Sequence, residues 1–231
     1  MAAPEFFKYL EDKGKFYPIQ KYLLGSVSQV DQLDFSQLKE EVINFLYKVA
    51  LNKESAFVND LFNNSSFSKR ISQDLRNKNI FASGLLSASI DKLKDLPLDA
   101  TLAVVKNFKE TGDSSCLIAA LISKFASKIS YIIDKEQCVN DLLTSVMSIT
   151  SMGTRELSLV CIMESIIRIN KSLTEGHLDA IQHIIENMTK ATSPSTVSAG
   201  LRIAKHSFLH FKESRRVNIA QTLSDRLPEI I

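Results

Sequence analysis

Apolar side chains recur every three or four positions through most of this chain, the period of a helix that buries one face. The pattern is plainest from Thr154 to Lys212. Leu159, Ile162, Met163, Ile166 and Ile169 form one stripe over Arg155 to Asn170, with Thr154 as its cap. Thr174 opens a second helix through Leu178, Ile181, Ile185 and Met188. Ser193-Pro194 starts a third, whose stripe of Val197, Leu201, Ala204, Phe208 and Phe211 runs on to Lys212. Each such helix must stack on neighbours to hide its stripe.

Upstream the same period is present but less even. Pro4 opens a short helix with Phe6, Phe7 and Leu10, and Pro18 another that stops at Gly25. Asp34 and Gln37 have capping-box spacing ahead of a helix on Phe35, Leu38, Val42, Phe45, Leu46 and Val49. Ser55 opens a helix with Val58, Leu61 and Phe62, and Asn63-Asn64-Ser65-Ser66 predicts a surface loop, because these side chains compete for backbone hydrogen bonds. Phe67, Ile71 and Leu75 mark a short helix, and Ile80 to Leu93 a longer one on Phe81, Leu85, Ile90 and Leu93.

From Pro97 the pattern is regular. Leu98, Leu102, Val105 and Phe108 lead to a stop at Gly112, and a restart at Asp113 runs through Leu117, Leu121, Phe125 and Ile129. Asp134 begins a helix with Cys138, Leu142, Val146 and Ile149 that Gly153 ends. The last helix, Ser214 to Leu227, uses Val217, Ala220 and Leu223, and Pro228 closes it. Starts near Pro97, Asp134, Thr174 and Ser214 are about 40 residues apart, the period of armadillo and HEAT repeats. The predicted fold is therefore all-α, an armadillo/HEAT-like right-handed α-solenoid of stacked helical hairpins. It is one domain over residues 1–231, with 1–94 an irregular N-terminal cap and 95–231 the regular hairpins. A compact helical bundle is the alternative with the same short connections.

Composition narrows this only a little. Seven Gly and five Pro are few for 231 residues, which favours helices over sheets. Lys and Arg number 28 against 26 Asp and Glu, so no global field selects nucleic acid or an anionic membrane. Cys116, Cys138 and Cys161 have no metal-type spacing and lie within apolar helical patterns, as reduced core residues do. Residues 1–21 carry charges throughout and no signal-peptide pattern, and no segment approaches the apolar length of a membrane span. These features predict an intracellular protein that binds no membrane.

No constellation of catalytic residues emerges. Phosphate-loop, nucleophile-elbow and dinucleotide patterns are absent, which predicts a non-enzyme without a cofactor or a metal. His206 and His210, four apart, are the nearest approach to a metal pair, and a small helical metal protein is the reading they would carry. Glu164 is the carboxylate worth naming as a possible buried acid, with a place at the edge of the helix's buried face the expected reading. The densest local charge is Arg202, Lys205, His206, Lys212, Arg215 and Arg216; all but His206 are the candidate partner-binding residues, and the cluster suits an acidic peptide or helical segment. Nucleic acid is the second partner class, as in RNA-binding helical proteins such as viral nucleocapsids. Phe208 and Phe211 are expected to hold this hairpin from behind. On that reading, reversing Lys205, Arg215 and Arg216 to Glu leaves helicity and thermal midpoint unchanged.

The order of segments also resembles the armadillo-like N-terminal domain of the synaptonemal complex lateral-element protein family. The similar stretches are Asn79-Ile80-Phe81 leading into Leu85-Leu86, the helix Leu117 to Ile133 with its Asp134-Lys135-Glu136-Gln137 turn, and Glu213-Ser214-Arg215-Arg216. The resemblance implies a protein-binding scaffold of the meiotic chromosome axis, hence a nuclear location; without it the expected place is the cytoplasm. The family's second folded domain, disordered region and C-terminal coiled coil have no counterpart in these residues, and none of its binding residues carries over.

Overall fold

The computed structural model describes residues 35–170 and 173–230, with side chains omitted for 37 and 225–230. The helices predicted after Pro4 and Pro18, and Asp34 of the capping box, lie outside the described residues. All regular structure among the described residues is helical, in eleven α-helices with no strand. The chain divides into two compact units between Val104 and Val105.

In the first unit a single 3-10 turn, Phe35–Gln37, precedes α1 (Glu40–Ala50), α2 (Ser55–Asn63), α3 (Ser65–Arg76) and α4 (Ile80–Ser89), and α5 (Leu98–Thr111) begins there. α1 packs on α4, α2 on α3, and α3 on both the 3-10 turn and α4. The predicted loop at Asn63 to Ser66 is a correction. Asn64 is buried, and its side chain accepts the Phe67 N–H at 2.9 Å as the N-cap of α3. The property that suggested a loop, an amide competing for backbone groups, here starts a helix. Asn79 caps α4 in the same way, accepting from Phe81 and Ala82 at 2.9 and 3.1 Å. α4 stops at Ser89, before the predicted end at Leu93, although Ile90 and Leu93 remain buried.

This core is built on rings. Phe67 meets Phe35, Phe62 and Tyr47 edge to face, at centroid distances of 5.3, 5.5 and 5.9 Å. The Tyr47 hydroxyl donates to Asp74 at 2.8 Å, and Arg70 Nε lies 3.2 Å from the same carboxylate while its Nη1 donates to the Leu38 carbonyl. Burial and the neighbouring carboxylate both push the Tyr47 phenol upward, so it stays protonated as a donor. Tyr47 and Ile43 were outside the predicted stripe of α1, whereas Phe45 and Val49 within it are only half-buried.

The second unit contains α6 (Ser115–Lys135), α7 (Val139–Met147), α8 (Thr154–Ile169), α9 (Glu175–Thr189), α10 (Pro194–Ser207), a 3-10 turn (Phe208–His210) and α11 (Glu213–Ile230). Gly112 takes φ +69° at the end of α5, where a left-handed residue costs glycine least. α6 bends at Phe125 (φ −119°, ψ 33°), just after Ser123 donates its hydroxyl to the Ala120 carbonyl at 2.6 Å and competes with the helical ladder. By length and composition α6 could cross a membrane, contrary to the expectation that no segment approaches that length; its buried isoleucines pack in this unit, where α6 lies against α8. α8 also packs on α7 and α10, and α9 on α7, α10 and α11. Gly200 makes the α9–α10 approach close, because a Cβ there would lie 2.8 Å from Met188 Cβ.

Two predicted ends are corrected. α10 stops at Ser207, whose buried hydroxyl donates to the Ile203 carbonyl at 2.8 Å, instead of running on to Lys212. α11 continues through Pro228 to Ile230, past the predicted stop. Among its described side chains Ile219 is buried, while Val217 and Ala220 of the predicted stripe are exposed. Cys138 is buried, but Cys161 is half-buried and Cys116 exposed, so the expectation of three core cysteines holds for one.

Candidate functional site: the hairpin of α10 and α11

The five candidate cations lie on three short segments, and the structure gives them different roles. Arg202, on α10, reaches to α8, where its Nη2 lies 2.6 Å from Glu164 Oε2 and 3.7 Å from Cys161 Sγ. Glu164 is thus a buried, paired acid, not a residue at the edge of the buried face. Lys212 Nζ lies 2.8 Å from Glu175, and Arg215 bridges Glu175 at 3.2 Å and Asp179 at 2.6 Å, tying α11 to α9. The hydrogen bond from Lys212, reinforced by its charge, holds the exposed Glu175 carboxyl below its usual range.

Arg216 serves the backbone. Its Nε donates to the carbonyls of Phe208 at 3.0 Å and Phe211 at 2.8 Å, its Nη2 to that of Leu209 at 3.2 Å, and its guanidinium sits 5.7 Å from the Phe208 ring centre. These are carbonyls at the C-terminal end of α10 and the turn after it, where helical partners run out. The Lys205 side chain is exposed and makes no hydrogen bond or ion pair among the described residues. Arg202, Lys205 and Lys212 do not share one helix face, because Lys212 lies beyond the end of α10.

The expected backing by Phe208 is also corrected. Phe211 is buried at 2%, but Phe208 is 38% exposed and Leu209 81% exposed. Where α10 gives way to the tighter 3-10 turn, the 3.6-residue register breaks and the stripe cannot continue. Leu209 and the acids Glu175 and Asp179 were missed. The acids were legible in principle, being four apart on one helix and about one repeat upstream of Arg215.

His206 and His210 are half-buried on either side of the turn's first residue, and among the described residues no group of three or more His, Cys, Asp or Glu gathers at them. In the first unit a cleft of about 280 Å3 is lined by Asn59, Phe62, Ser68, Pro97 and Asp99. Asp99 accepts from Ser68 Oγ at 3.1 Å and lies in the first turn of α5, where a carboxylate complements the helix dipole. No protein-family model, curated protein or solved structure matches the chain.

Proposed function

We propose that the chain is a non-catalytic protein–protein interaction scaffold of the armadillo/HEAT type, a right-handed α-solenoid that engages an acidic peptide or helical segment of a partner. The observation that carries this reading is the separation between residues joined across helices of the second unit. Arg155 to Gly112, Ser158 to Cys116, Asn170 to Asp134, Arg202 to Glu164 and Arg215 to Glu175 are 43, 42, 36, 38 and 40 residues apart. Contacts at a near-constant separation are what stacked repeats produce, each helix touching its counterpart one repeat earlier. The packing of α8 on α6 and α10, and of α9 on α7 and α11, supports the same two-row arrangement.

Lys205 is the candidate cation that an incoming carboxylate meets without displacing an internal partner. The resemblance to the lateral-element family supplies a setting for the proposal, the meiotic chromosome axis in the nucleus. Affinity capture with the whole chain as bait, with and without nuclease, followed by titration of the purified partner, tests the reading. A protein retained after nuclease and binding saturably at one site supports it. Tight single-strand binding that falls steeply with salt, with no protein retained after nuclease, would replace it with the nucleic-acid reading.

A further inference from the structure

We infer that the Phe208–Leu209 turn is the apolar anchor of this surface, and that its occupant is an acidic amphipathic helix of a partner protein; this rests on the scaffold reading above. Leu209 is a large apolar side chain held almost wholly in water at 81% exposure, beside a half-exposed Phe208. The turn that displays it is built. The Arg216 guanidinium satisfies three carbonyls of residues 208 to 211 at 2.8 to 3.2 Å, so the ordering of the turn is met in folding and not at association. Arg216 is therefore a positioning residue, and the contact belongs to the two apolar side chains.

Charge selects the occupant. Glu175 and Asp179 offset Lys212 and Arg215, and Glu164 offsets Arg202. Along residues 202–216 this leaves Lys205 and Arg216 against Glu213, a small positive surplus. A helix with leucines on one face and carboxylates beside them meets both features at once. Two apolar side chains and so small a surplus are too little to hold a lipid surface, which needs several cations or a longer apolar face. A second copy of the chain would bring the same surplus against itself.

The test uses a labelled peptide of about 18 residues with a leucine stripe and glutamates opposite, titrated into the whole chain by fluorescence anisotropy. The parallel arms are the same peptide with lysines for glutamates, flotation with phosphatidylserine-containing vesicles, and sedimentation of the chain alone. The glutamate peptide is expected to bind, Leu209→Ser to weaken it about tenfold or more, and Lys205→Glu by a smaller factor. The lysine peptide should bind at least about tenfold more weakly. Circular dichroism and thermal midpoint of Leu209→Ser should match the parent, since so exposed a side chain holds little of the fold. Equal binding of both peptides, unchanged binding to Leu209→Ser, or vesicle flotation or a dimer that Leu209→Ser abolishes would each overturn the anchor. A captured partner that binds Leu209→Ser as tightly as the parent would overturn the anchor while leaving the scaffold reading intact.

Discussion

The two units solve the same packing problem with helices of different length. In residues 35–104 the first four helices span 9 to 12 residues, and polar contacts between helices and their ends run from 27 residues apart, Tyr47 to Asp74, to 41, Leu51 to Lys92. In residues 105–230 helices range from 9 to 21 residues, and the corresponding separations from 27, Lys109 to Glu136, to 43, Arg155 to Gly112. Short helices bury little stripe each, so the first unit adds directional contacts: amide caps at Asn64 and Asn79, the Tyr47–Asp74–Arg70 network, and rings meeting edge to face on Phe67. The longer helices of the second unit rely on aliphatic faces, with polar contacts tying one helix to another from the buried Glu164, paired with Arg202, to the exposed Glu175, paired with Lys212. Order within a small helical unit thus comes from a few oriented groups, and within a larger one from repeated area.

The sharpest way to break this contrast is Phe67→Ala. Removing a fully buried ring that three others meet should cost about 3 to 5 kcal/mol, read by urea denaturation. A loss below about 1 kcal/mol would mean that the aromatic hub is incidental to the first unit. Gly200→Ala probes the second unit, where a methyl placed 2.8 Å from Met188 Cβ forces α9 and α10 apart. About 1 to 3 kcal/mol should be lost, the range for overpacking. A neutral or stabilising alanine, as helix propensity alone favours, would show that the two helices do not meet this closely.

A smaller effect comes from Cys138, whose thiol burial pushes up from the ordinary 9.0 to about 11. The buried form is the neutral one, so its contribution is complete below pH 9 and is lost as pH rises toward about 11. Cys138→Ser should flatten the alkaline limb of stability against pH in that window, and an unchanged limb would remove the thiol from the account. Phe208→Ala should be smallest, within about 0.5 kcal/mol by thermal or urea unfolding. The sequence-based expectation of a buried ring called for several times that loss, so this variant separates the 3-10 turn from a continued helix.

Which features were legible in the sequence depends on how local their causes are. Helix starts at Thr174 and Pro194 were readable because a capping side chain and a proline act within one turn, whereas Thr154, expected as a cap, is the first residue of its helix and Gly153 its N-cap. Of the starts behind the 40-residue spacing, Asp134 is corrected: it lies in the last turn of α6, and the next helix begins at Val139. The end of α10 was not readable: neither glycine nor proline marks it, and the apolar stripe continues on paper past Ser207. Asn64 was misread because one amide both caps helices and opens loops, and only the burial of Phe67 behind it decides which. The charged hairpin was legible as composition alone. That Arg202 turns to Glu164 and Arg215 to Glu175 and Asp179 depends on which helices stack, and this lies about a repeat away in sequence.

The proposed surface is tested most directly by hydrogen exchange of the whole chain, alone and saturated with a purified partner retained after nuclease. New protection should concentrate in the last turn of α10, the 208–210 turn and the first turn of α11, with residues 35–104 unchanged. Protection centred on α1 to α4, or none over residues 205–216 at saturation, would contradict the account.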